Sequence, residues 1–173
     1  MEFKILYLIN TLHTPILDKI MVLLTNLGDA GIIWILIALV LLFRRSTRKC
    51  GILMLVSMVL GLIIGNVVLK NLIQRSRPCW IDTNILLLIP NPTDYSFPSG
   101  HTLASFEAAI MIFLHNKKWG ILAMMLAVLI AFSRMYLFVH FPTDILGGIV
   151  IGTAISTAVY YGNEKIKNKK LKQ

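Results

Sequence analysis

This sequence predicts an all-α membrane protein, a polytopic bundle of about five transmembrane helices, and three observations predict it. Of its 173 residues, 57% are hydrophobic and only 14% are charged, whereas an ordinary soluble domain carries roughly 25% charged residues. Mean hydropathy is +0.76. The apolar residues also fall in long runs separated by short basic segments. A single soluble core of this size has no room for so many such runs, so lipid must cover part of them.

In chain order, residues 1–27 come first, with Lys4, Asp18 and Lys19 interrupting the apolar pattern and Thr14-Pro15 reading as a helix start with proline at the first helical position. This segment predicts two interfacial helices, with a sixth, kinked span as the open alternative. Five apolar stretches follow, at 29–43, 50–74, 101–115, 119–138 and 143–161, against a requirement of roughly 20 residues at 1.5 Å each. The first and third are short. The third begins at Pro98-Ser99-Gly100-His101 and ends at Asn116-Lys117-Lys118, which sets its first turn near the depth of lipid phosphates. The chain thus divides into N-terminal helices (1–28), a membrane domain (29–162) and a basic tail (163–173). There is no internal repeat, and the N-terminus shows no signal-peptide pattern. The Lys-rich tail suits the anionic inner leaflet.

Lys and Arg number 17 against 8 acids, a surplus that in a soluble protein would suggest nucleic acid. Their positions argue for a membrane instead. Eleven of the 17 lie in the loop with Arg44, Arg45, Arg48 and Lys49, at Lys117 and Lys118, and in the tail from Lys165 to Lys172. By the positive-inside rule that side is cytoplasmic, which puts the N-terminus, the 75–97 loop and the 137–142 turn outside. Lys70, Arg75, Arg77 and Arg134 then gather at the outer ends of the second and fourth spans. Cys50 and Cys79 stand at opposite ends of one span, too far apart for a disulfide.

Charges at membrane depth are costly, so cations collected at one rim need a partner. Snorkelling at helix ends accounts for Lys70 or Arg77 taken singly. Together with Arg134 they would repel one another unless a polyanion sat between them, and phosphate is the natural candidate. Ser99 and Gly100 read as a loop entering a helix, where free N–H groups face an anion. In the run from Ser133 to Asp144, Pro142 opens a helix and leaves His140 on a turn, with Asp144 four residues on and able to orient its imidazole. A buried His–Asp pair joining two helices is the plainer alternative.

Three strings now stand together: Lys70 with Arg77-Pro78 after six intervening residues, Pro98-Ser99-Gly100-His101, and Ser133-Arg134 with His140 and Asp144 at fixed spacing. This pattern resembles the type 2 phosphatidic acid phosphatase family, over residues 29–161, lacking the family's usual first spanning helix. The resemblance implies that His140 is a nucleophile forming a phosphohistidine, that Asp144 holds its ring, and that His101 serves as acid and then base. It implies that Lys70, Arg77, Arg134, Ser99 and Gly100 hold the phosphate oxygens, with no metal or other cofactor. Elsewhere, Glu107 suits helix packing better than tuning of His101, Asn66 steers Lys70 or bonds another helix, and Gly61 with Gly65 suits close helix contact.

The expected activity is removal of phosphate from a lipid at the extracytoplasmic face of the cell membrane, with the C-terminus cytoplasmic and no nucleic-acid partner. Undecaprenyl diphosphate is the first choice, followed by phosphatidylglycerol phosphate or phosphatidic acid. Transfer of the phosphate to another acceptor, or binding of an anionic lipid without catalysis, are the competing readings. Haloperoxidase chemistry, known on the same site plan, fits the membrane setting poorly.

Overall fold

A computed structural model describes residues 1–170, and the end of the basic tail lies outside the described residues. All regular structure among the described residues is helical: α1 (Glu2–Asn10), α2 (Pro15–Gly28), a 3₁₀ turn at Asp29–Gly31, α3 (Ile32–Phe43), α4 (Arg48–Gly61), a π-helical stretch at Leu62–Leu69, α5 (Lys70–Ile73), α6 (Pro78–Ile81), α7 (Gly100–His115), α8 (Lys117–Tyr136) and α9 (Pro142–Lys170). Thr14 starts α2 as the sequence suggests, its hydroxyl accepting from Leu17 N at 3.3 Å with Pro15 next in line. Asn116 does the same for α8, accepting from Trp119 N at 3.2 Å.

Four stretches are long and apolar enough to cross a membrane: Pro15–Phe43, Arg48–Ile81, Lys117–Tyr136 and Pro142–Lys169. The expected third span, α7, has 16 residues and sits at the centre, packed against α4, α8 and α9. Ala108, Ala109 and Met111 on it are fully buried, while Val56, Val67, Leu122, Met125 and Val150 on the surrounding helices are exposed. A helix surrounded by protein needs no lipid-facing surface, so α7 can be short and can carry Ser105 and Glu107. The Glu107 carboxyl lies against Gly61 of α4, where a Cβ would come within 2.1 Å of Oε1. Both of its carboxyl oxygens are buried without a hydrogen-bond partner, and it makes no hydrogen bond to His101.

Residues 1–28 form the first two helices of the chain. α1 and α2 are separate helices, yet α2 joins α3 through the turn at Asp29–Gly31, where Ala30 and Gly31 adopt left-handed φ values of 50° and 68°. α2 packs on α8, and Tyr136 donates to Asp18 at 2.6 Å. At the other end of the bundle the tail continues α9 as helix, and Glu164 pairs with Lys49 of the basic loop.

α7 and α8 form a hairpin whose backbones touch. A Cβ on Gly120 would lie 2.2 Å from Phe113 Cα, and no rotamer change relieves a backbone clash. Gly120→Ala is therefore expected to destabilise the protein by about 1–3 kcal/mol. Thermal unfolding in detergent checks this, and an unchanged midpoint would mean that the hairpin yields freely.

Candidate active site

The turn between α8 and α9 carries His140. Leu137, Phe138, Val139 and Phe141 are all buried, and α1 covers them, with the Phe3 and Phe141 rings edge to face at 5.3 Å and Tyr7 against Phe138 at 5.8 Å. Phe138 takes a left-handed φ of 60°, which reverses the chain so that His140 turns inward while its neighbours fill the apolar layer. His140 is 1% exposed.

Its two ring nitrogens face different groups. Nε2 receives Arg77 Nη1 at 3.1 Å, and Nδ1 lies 3.3 Å from Ser96 Oγ. Ser96 in turn donates to Asp144 Oδ2 at 2.5 Å. The Nδ1–Asp144 separation is 3.6 Å, so the hydroxyl of Ser96 mediates the contact expected directly from Asp144. Asp144 is fully buried and well satisfied, accepting also from Phe141 N at 2.8 Å and Arg75 Nη1 at 2.6 Å. Burial, and then the positive charge of Arg77, hold the His140 imidazole well below its ordinary pKa. With Nδ1–H turned to Ser96, the neutral ring keeps its Nε2 lone pair toward the cations.

Lys70 follows the π-helical stretch of α4, whose extra residue per turn shifts the register of what comes after it. Lys70 and Arg77 are 6% and 2% exposed and both reach Asp94. Arg77 also donates from Nε to Asp94 O at 2.7 Å and from Nη1 to Val139 O at 2.8 Å. Asp94 is thus the carboxylate that the two cations share. Its partial burial works against the charge, but Lys70 and then Arg77 prevail and hold its carboxyl at about 2. Arg134, 4% exposed, has Thr25 of α2 as a partner, and its Nε has none.

α7 enters the site through Ser99 and Gly100. A Cβ on Gly100 would sit 3.0 Å from Asn66 Oδ1, so the glycine permits close approach of the π-helical segment. Ser99 is set further back than expected. Its side chain does not cap the helix, its N–H is taken by Asp144 O at 3.2 Å, and its hydroxyl accepts from Thr102 at 3.0 Å. Two residues on, His101 meets Asp29, Nε2 to Oδ1, at 2.8 Å.

Lys70, Arg77, Gly100, His101, Arg134 and His140 line one cavity of about 790 Å³, and Ser99 and Asp144 are not among its lining residues. From the cations the cavity continues between α3 and α4 over apolar side chains that include Ile35, Leu55, Val59 and Leu62. The sequence pattern points to one acid among the cations, and the structure places three: Asp29, Asp94 and Asp144. Arg75 and Ser96 are likewise contacts that the motif spacing does not reveal. Among the described residues no group of three or more His, Cys, Asp or Glu side chains is arranged to hold a metal.

A buried imidazole whose Nε2 meets Arg77, set with three buried cations along a partly apolar cavity, fits a membrane-embedded phosphate-handling protein. Residues 51–167 match the PAP2 superfamily model, and the chain belongs to that superfamily. The undecaprenyl-diphosphatase of Sulfolobus acidocaldarius is 38% identical over 150 residues, covering 86% of this chain and 72% of that one. A crystal structure of a transmembrane PAP2-type phosphatidylglycerolphosphate phosphatase from Bacillus subtilis superposes with a TM-score of 0.77 at 32% identity, over 94% of this chain and 84% of that one. Aquifex aeolicus LpxE matches with a TM-score of 0.82 at 25% identity, over 92% and 94% respectively.

Proposed function

We propose that this multi-pass membrane lipid phosphatase hydrolyses a polyprenyl diphosphate, undecaprenyl diphosphate first, through a phosphohistidine on His140. One observation carries the reading: the cavity that holds the His140 Nε2 and three cations runs on into an apolar groove between α3 and α4. A headgroup and the start of its tail fit such a space together. The name of the Sulfolobus relative supports the diphosphate. Phosphatidylglycerol phosphate comes next, on the name of the Bacillus structure.

In the first step the His140 Nε2 lone pair attacks phosphorus, and the bond from phosphorus to the leaving oxygen breaks. The Nδ1 proton stays on the ring, held by Ser96 and through it by Asp144. His101 gives a proton to the leaving oxygen. Lys70, Arg77, Arg134 and the Gly100 N–H hold the phosphoryl oxygens as charge spreads over them. Water then attacks phosphorus, His101 takes the proton, and the P–N bond breaks to release phosphate. The site faces the extracytoplasmic side and the C-terminus the cytoplasm, on the strength of the basic residues gathered at the opposite end of the bundle.

Because Asp94 sits on Lys70 and Arg77, an incoming phosphate competes with a carboxylate for the same donors. Asp94→Asn is expected to lower KM roughly three- to tenfold, on the scale of a lost charge-assisted contact. An unchanged or raised KM would show that phosphate and Asp94 bind side by side. Phosphate release from a panel of lipid phosphates and diphosphates in detergent tests the substrate assignment, and higher kcat/KM on phosphatidic acid than on undecaprenyl diphosphate would reverse it.

A further inference from the structure

His101 is held by a part of the chain that precedes the family-matched region. That match begins at residue 51, whereas Asp29 belongs to the turn between α2 and α3, and its Oδ1 lies 2.8 Å from His101 Nε2. The turn is shaped for this contact. Ala30, a residue with a Cβ, accepts the left-handed region at φ 50° directly after Asp29, a conformation that L residues adopt at a cost. One residue earlier, a Cβ on Gly28 would lie 2.7 Å from His101 Cδ2 and 2.8 Å from Ile130 Cγ2. Glycine there lets the backbone lie against the ring edge while the next residue bonds the ring nitrogen. The other nitrogen, Nδ1, makes no hydrogen bond among the described residues and is not among the buried unpartnered atoms, so it is accessible, and His101 is a lining residue of the cavity.

We infer that Asp29 is a positioning residue for His101: its carboxylate accepts Nε2–H, fixes the ring, and leaves Nδ1 to exchange the proton with the leaving oxygen and later with water. This rests on the reading of His101 as the acid and base of the reaction. In phosphoryl transfer to His140, the Nδ1 proton passes to the leaving oxygen as its bond to phosphorus breaks. In hydrolysis, a proton from the attacking water returns to Nδ1 as the P–N bond breaks. The Nε2 proton stays on the ring, bonded to Asp29, throughout. Lys70 and Arg134 line the same cavity, and the negative charge of Asp29 offsets theirs when His101 carries its extra proton. The two histidines therefore each have a carboxylate, Asp144 through Ser96 for one and Asp29 directly for the other.

The test uses the full chain in detergent, with Asp29→Asn and Asp29→Ala beside His101→Ala and His140→Ala. Two substrates separate the roles: phosphatidic acid, whose alkoxide leaving group needs a proton, and 4-nitrophenyl phosphate, whose leaving group does not. The Asp29 side chain is 56% exposed, so both variants are expected to fold, and their thermal midpoints check it. Asp29→Ala is expected to slow phosphoenzyme formation from phosphatidic acid by about tenfold or more, part of the roughly 10²–10⁴-fold worth of general acid catalysis. KM should stay within about twofold, and the burst of 4-nitrophenolate should change far less, because that step needs no proton donor. Asp29→Asn keeps an acceptor oxygen without the charge and should fall between wild type and Asp29→Ala. Equal losses on the two substrates in the first step, or wild-type kcat for Asp29→Ala while His101→Ala is inactive, would overturn the assignment of Asp29. Wild-type turnover by His101→Ala would instead remove the acid–base reading beneath it.

Discussion

Replacing His140 with alanine is expected to lower kcat by about 10⁴-fold or more, the scale seen when a nucleophile is removed from a preorganised site. The loss should be one of chemistry rather than of folding. Asp144 keeps its bonds to Ser96, Phe141 N and Arg75 when the imidazole is gone, and Arg77 keeps Asp94 and Val139 O. Rapid quenching with substrate labelled in the transferred phosphate should trap an acid-labile phosphoenzyme in the wild type and none in the variant. Phosphate release at the wild-type rate by the variant would end the phosphohistidine mechanism. The pH dependence is fixed by the same geometry. A protonated imidazole cannot attack phosphorus, and burial followed by Arg77 depresses the folded-state pKa of His140, so the ring stays neutral as pH falls through the ordinary histidine range. With 4-nitrophenyl phosphate, whose leaving group needs no proton from His101, the burst rate should then hold level from about pH 8 to about pH 6, with its acid limb below the usual value near 6.5.

That Lys70, Arg77, Arg134 and His140 share one cavity was legible in the sequence because their spacing survives folding almost unchanged. Arg134, His140 and Asp144 lie within one turn and its flanking helix ends, and Lys70 and Arg77 straddle one helix exit, so local periodicity already brings each string to one rim. Other features depend on chain crossings that periodicity does not encode. Asp29 meets His101 across 72 residues and Thr25 meets Arg134 across 109, both because α2 folds back along α8. Asp94 and Ser96 sit in a loop with no repeating pattern, where only the neighbouring Pro98-Ser99-Gly100-His101 string hinted at a role. The shortness of α7 has a physical reason too. Hydropathy assumes a helix facing lipid, and α7 faces other helices, so it can be short and polar without leaving the membrane domain.

The largest effect on binding and rate short of losing the nucleophile is expected at Arg134, where function and stability pull apart. This guanidinium is 4% exposed, its partner is the hydroxyl of Thr25, and its buried Nε has no acceptor. A buried cation so poorly paired costs stability, because desolvation is not repaid by an anion. Its donors make sense as a site preorganised for phosphoryl oxygens that arrive with the substrate. Arg134→Met, close in length and without charge, is therefore expected to lower kcat/KM by about 10²–10³-fold while leaving the thermal midpoint in detergent unchanged or higher. Arg134→Lys keeps a charge but loses the planar fork, and should recover only a small part of the rate. Inorganic phosphate should raise the midpoint of the wild type, since a ligand bound only by the folded state stabilises it, and should do so less for Arg134→Met. A midpoint that drops in Arg134→Met while kcat/KM stays within about twofold would make Arg134 a structural tie between α2 and α8 instead. The opposite pattern, lost activity in a protein at least as stable, is what a phosphate-binding arginine held ready at the cost of stability requires.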